Sequence, residues 1–153
     1  MGKRTSPKWM HNKNIPIYYT VSHGPDRQAL NVAFQQLMSL AANRTRECAV
    51  AVGTMQVIGR CSEFEKLVGQ AVAEALRRGS LQVNGIRVKL ITRRLRRDDF
   101  GSGPILALYL QPRDLEKYFE EGRITDLIYV PWLEADMKCF PSECPAASVL
   151  KVR

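Results

Sequence analysis

Short apolar runs alternate along this chain with amphipathic stretches of helical period, and no other feature restricts its fold as strongly. Ile15 to Val21, Cys48 to Val52, Ile105 to Leu110 and Leu127 to Val130 have strand length and read as strands. Between the first two, Asp26 to Ala42 places Leu30, Ala33, Phe34, Leu37, Met38 and Ala41 on one stripe. This is the pattern of a helix packed against a sheet. Pro25 and Asp26 supply its start signal. A second helix opens on Ser62-Glu63-Phe64-Glu65, a capping box, and continues through Phe64, Leu67, Val68, Ala71, Val72, Ala75 and Leu76 to Gly79. A third begins at Pro112 and runs through Leu115, Tyr118 and Phe119 to Gly122.

The strand at Ile86 to Thr92 differs from the others because it alternates. Ile86, Val88 and Leu90 point one way, and Arg87, Lys89, Ile91 and Arg93 the other, so one basic face is expected in solvent near a sheet edge. Leu81-Gln82-Val83 precedes it across the turn dipeptide Asn84-Gly85. The combination predicts an α/β chain with a small three-layer, Rossmann-like or flavodoxin-like fold. Its mostly parallel sheet would have about five strands, with about three helices. With 153 residues, the chain fits one domain with one substantial core. That domain is expected over residues 15–136, after a basic arm at 1–14 and before an irregular tail at 137–153 that contains Pro141 and Pro145. The closing pattern of apolar strand, Pro-start helix, apolar strand and Pro131-Trp132 resembles small stand-alone bacterial α/β proteins. The resemblance covers the last third of the chain and implies no activity.

Open α/β sheets bind ligands beyond the carboxyl ends of their strands. The turn Ser22-His23-Gly24-Pro25-Asp26 is therefore the first candidate site, with Ser22, His23, Gly24 and Asp26 beside a helix N-terminus suited to a phosphate or carboxylate. A well-capped turn with a solvated histidine is the plainer reading of the same residues. The turn has neither a Gly-x-Gly-x-x-Gly nor a P-loop pattern.

A net charge of +8 and a pI near 9.6 point to anionic partners: a nucleotide, a nucleic acid or an acidic protein surface. The charge concentrates in Arg77, Arg78, Arg87, Lys89, Arg93, Arg94, Arg96 and Arg97, and the last four are the candidate phosphate contacts. Solvated charges that protect a strand edge are the alternative. Trp132, after the last buried strand, either covers the core or lines a crevice.

The function expected is a non-catalytic binding module for a phosphate-bearing ligand. A second reading is a protein-interaction or assembly module, including a homo-oligomer, built on an exposed strand edge. A third is a small hydrolase or transferase using His23 with Asp26 or Asp114, for which no nucleophile-base-orienter set is evident. No cofactor is implied. No metal site is expected from Cys48, Cys61, Cys139 and Cys144, whose spacings fit no zinc motif. No apolar run reaches membrane-span length, and the basic start is followed by no apolar segment of signal-peptide length. A cytoplasmic chain without membrane contact is expected.

Overall fold

A computed structural model describes residues 15–22, 24, 26–92, 100–119 and 121–151. Its strands are β1 (Ile17–Thr20), β2 (Glu47–Val52), β3 (Ser80–Val83), β4 (Ile86–Ile91), β5 (Gly103–Leu108), β6 (Ile124–Val130) and β7 (Ser148–Leu150). The α-helical segments are α1 (Arg27–Ala42), α2 (Glu63–Val68), α3 (Gln70–Arg77), α4 (Glu116–Phe119) and α5 (Glu134–Glu143), with 3-10 turns at Met55–Ile58 and Pro112–Leu115. The strands form one seven-stranded sheet in the order β3-β4-β2-β5-β6-β1-β7. Every pairing is parallel except β3 with β4.

The apolar runs sit where both faces of the sheet are covered. Cys48, Val50, Val52, Leu106, Leu108, Ile128 and Val130 face a core shared with α1, α2 and α3. Their neighbours Ala49, Ala51, Ile105, Ala107, Leu127 and Tyr129 face the opposite core, which Leu115, Tyr118 and Phe140 close. Continuous apolar sequence is what a strand between two helical layers requires. The three-layer α/β fold expected from the sequence is the fold observed.

The sheet has seven strands where about five are expected: Leu81-Gln82-Val83 is strand-like in the sequence and forms β3, whereas β7 carries little sequence signal. β3 has four residues and β7 three, and neither has both faces buried. β3 joins β4 through Asn84 (φ 52°) and Gly85 (φ 79°), the positive values that a tight hairpin turn demands. β7 and α5 lie in the segment expected to be an irregular tail on account of Pro141 and Pro145. Tertiary packing overrides the prolines: Phe140, just before Pro141, is fully buried and meets the rings of Tyr19 and Tyr129 at centroid distances of 5.5 and 4.9 Å. The helix expected to run unbroken from Ser62 divides at Gly69 (φ 94°) into α2 and α3. After the break the buried stripe restarts on Ala73 and Leu76, leaving Ala71 exposed.

β4 follows the alternation read from its sequence. Ile86 and Val88 join the α1-side core, and Arg87 is exposed on the other face, beside the exposed Gln82 of β3. Among the described residues no helix covers the sheet there; α4 and α5 pack over β5, β6 and β1. Among the described residues, no helix is long and apolar enough to cross a membrane.

Candidate functional site

Two neighbouring strands of this sheet send the chain to opposite layers. β2 leads through the Met55–Ile58 turn to α2 on one face, and β5 leads through the Pro112–Leu115 turn to α4 on the other. The connections therefore part above the carboxyl ends of β2 and β5, and a crevice opens, as at topological switch points generally. A cleft of about 510 Å³ occupies this position, within the range of small-ligand sites. Thr54, Gln56 and Val57 line it from the end of β2, Cys61, Ser62 and Glu63 from the start of α2, Tyr109 from β5 and Trp132 from β6.

Tyr109 takes an unusual backbone conformation. Leu108 belongs to the α1-side core, so a regular strand would turn Tyr109 to the other face. At φ 61°, Tyr109 instead packs against the same core as Leu108. Non-glycine residues adopt this region at a cost and hold it only where surrounding contacts enforce it. Two hydrogen bonds do so here: Tyr109 N donates to Val130 O (2.9 Å), and the Tyr129 hydroxyl donates to Leu110 O (2.6 Å).

The result aims the Tyr109 ring at Trp132, edge to face, with centroids 4.8 Å apart and planes at 61°. The Tyr109 hydroxyl is buried and has no hydrogen-bond partner among the described residues. Burial, then the charges of Glu63 and Asp26, push its pKa up to about 12, so it is a proton donor at neutral pH.

Glu63 is the lining carboxylate. It accepts from Arg27 Nε at 3.0 Å and pairs with Lys66 Nζ at 3.5 Å. The Arg27 hydrogen bond, with smaller contributions from the charges of Arg27 and Lys66, holds its pKa below the usual carboxylate range. The Ser62 hydroxyl accepts from Glu65 N, and Glu65 accepts in return from Cys61 N, so the expected capping box forms one residue wider than its usual geometry.

The same edge collects groups left without the partners that burial normally demands. Among the described residues, the buried side-chain polar atoms with no hydrogen-bond partner are Thr20 Oγ1, Ser22 Oγ, the Tyr109 hydroxyl and Asp136 Oδ2. Thr20, Ser22 and Tyr109 end or follow a strand at this edge, and Asp136 lies in the first turn of α5, the helix after β6. Of the large apolar side chains exposed there, Val21, Met55, Trp132 and Leu133 also follow β1, β2 and β6 at their carboxyl ends.

The candidates read from the sequence are partly brought together. The turn after β1 meets the turn after β6: a Cβ added to Gly24 would lie 3.9 Å from the Trp132 carbonyl oxygen. Trp132 itself lines the cleft. Asp26 caps α1, its Oδ1 accepting from Gln28 N (3.0 Å) and Ala29 N (3.2 Å), so two of the amides offered by this N-terminus are already bound. His23, Arg93, Arg94, Arg96 and Arg97 lie outside the described residues. Asp114 sits in the Pro112–Leu115 turn.

No protein-family model, curated protein or solved structure matches this chain.

Sequence reasoning passed over Tyr109 as one more apolar strand residue and Glu63 as part of a helix cap. Both stand at the boundary where a strand ends or a helix begins, and that boundary position was the available signal. Among the described residues, no group of three His, Cys, Asp or Glu side chains is placed to hold a metal ion. Cys48 is fully buried, and burial, with a smaller push from the Glu47 charge, raises its thiol to about 12; it packs as a small apolar group.

Proposed function

We propose that this protein is a non-catalytic binding module for a phosphate-bearing small ligand, a nucleotide, held at the carboxyl edge of its sheet. The observation that carries the reading is the cleft at the β2–β5 divergence, walled by the Tyr109–Trp132 pair. Aromatic rings accept a stacked base. Charge supports the phosphate. The chain carries a net charge of +8, and Arg93, Arg94, Arg96 and Arg97 lie close together in its sequence.

The test is calorimetric titration with purine and pyrimidine nucleoside mono-, di- and triphosphates at low and high salt. Saturable binding that weakens as salt rises is expected. An absence of binding heat for every nucleotide tried would overturn the reading.

A second reading, an assembly module, draws on a separate observation. The edge strand β7 presents Val149 with 47% of its surface exposed, beside a backbone edge that no strand among the described residues pairs. Concentration-dependent dimerisation that disappears in Val149→Asp is its expected signature. A monomeric mass at all concentrations rules out self-assembly through this edge.

A further inference from the structure

We propose that the face of the β3–β4 edge turned away from α1 docks the phosphate backbone of a nucleic-acid duplex, without reading its sequence. The inference is independent of the nucleotide reading. The cleft lies at the carboxyl ends of the strands, whereas this face lies toward their amino ends, where Arg87 of β4 pairs with Glu47, the first residue of β2.

Register assembles the face. Val88 belongs to the α1-side core and Ile91 to the opposite core, so Arg87 and Lys89 project on the side away from α1. Antiparallel pairing sets Gln82 opposite Arg87 and Ser80 opposite Lys89, which brings four polar side chains together. Arg87, Gln82 and Ser80 are exposed and Lys89 is half-buried. Arg46 adds a cation at the hairpin end, where a Cβ on Gly85 would lie 3.8 Å from its Nη1.

The charge here is not balanced. Glu47 is the neighbouring acid, and β3, β4 and β5 contribute none. Its Oε1 accepts from Gly101 N at 2.7 Å. The acids of α2 and α3 belong to helices packed on the other side of the sheet. Arg46, Arg87 and Lys89 make no ion pair among the described residues. Three cations therefore stand against one carboxylate.

The residue types favour a duplex backbone over other anionic partners. Phosphate oxygens are held by Arg, Lys, Ser and Gln side chains, the four types present. None of the large apolar side chains exposed among the described residues belongs to β2, β3 or β4, so the face lacks the apolar centre of a protein interface. Those three strands also carry no aromatic residue, and single strands are held largely by stacking on such rings. A duplex keeps its bases stacked and presents its phosphates.

The experiment measures fluorescence anisotropy of short labelled DNA duplexes of two unrelated sequences, from low to physiological salt, with the full chain. Both duplexes should bind equally and weaken steeply as salt rises. Arg87→Gln combined with Lys89→Gln should weaken binding about tenfold at low salt and reduce the slope of log K against log salt by about two. Gln82→Glu keeps both cations but sets a carboxylate opposite Arg87, and it should weaken binding comparably with Tm unchanged. Affinity and slope that stay the same in both variants overturn the proposal. So do a preference between the two sequences, tighter binding of the single strands, and competition by poly-glutamate at equal charge, which would mark an acidic protein as the partner. A chain that binds duplex as stated but binds no nucleotide keeps this inference and overturns the cleft reading alone.

Discussion

Tyr109 and Trp132 leave the ends of two adjacent parallel strands and meet edge to face with ring centroids 4.8 Å apart. Trp132 lies outside the core, and Tyr109 packs at its margin on the α1 side. Tyr109 is half-buried and strained at φ 61°, and Trp132 is 45% exposed. An aromatic pair that walls a cleft at the margin of the core is the arrangement on which the proposed ligand reading rests.

Trp132→Ala should therefore separate stability from binding. Because Trp132 is largely exposed, its loss is expected to lower unfolding free energy by about 1 kcal/mol or less in urea denaturation. Nucleotide affinity in the same preparation should fall at least about tenfold, since the stacking wall is gone. A large stability loss with unchanged affinity would assign Trp132 to packing.

Arg44 and Asp126 join the turn after α1 to β6. Asp126 is fully buried and accepts from Arg44 Nε and Nη2, both at 3.1 Å, and from the Thr125 hydroxyl at 2.8 Å. Arg44→Ala strands this carboxylate. Arg44 is itself 43% exposed and the Thr125 hydroxyl still donates to Asp126, so the cost is moderated. Chemical denaturation should show that loss, and Arg44→Ala combined with Asp126→Asn should recover part of it.

Gly103 opens β5 where the β5–β6 register shifts between Gly103 and Ile105. At φ 156°, a Cβ there would press well inside van der Waals distance of the Glu47 backbone carbonyl on β2. Backbone cannot swing aside as a flexible side chain does. Gly103→Ala should cost about 3 kcal/mol or prevent folding. Gly122→Ala, with nothing within 4 Å of an added Cβ, serves as the tolerated control.

Asp136 gives the stability a pH dependence. Burial raises its carboxyl pKa in the folded chain, and Oδ2 has no hydrogen-bond partner. A carboxyl with a raised folded pKa binds its proton more tightly when folded. Its ionisation therefore subtracts from stability as pH climbs above the ordinary value of 3.8, and the full penalty is present at neutral pH. Asp136→Asn should be more stable than the natural chain at pH 7, with the gap closing toward pH 3. Tm measured across that range checks both the sign and the window.

The layer order was legible in the sequence because period and burial are tied together locally. Strands covered on both faces need unbroken apolar runs such as Cys48–Val52, and helices that cover them need one apolar stripe such as Leu30-Ala33-Leu37-Ala41. The alternation of Arg87 and Lys89 with Ile86 and Val88 announced a half-covered strand for the same reason. The turn after β1 and Trp132 were legible as strand ends, and those two do come together.

Tertiary structure alone decided the rest. β7 pairs with β1 across more than a hundred residues of chain, and a three-residue edge strand has too little pattern to announce itself. Phe140 keeps α5 helical past Pro141 because two tyrosine rings from other strands surround it. The cleft exists because β2 and β5, distant in sequence, lie side by side and part toward opposite layers. Its key residue, Tyr109, looks like one more apolar strand position until the Val130 carbonyl and the Tyr129 hydroxyl hold its backbone reversed. Local patterning, a matter of neighbours in sequence, was enough to set the layers. The site depends on strands meeting in space, and only the assembled sheet brings them together.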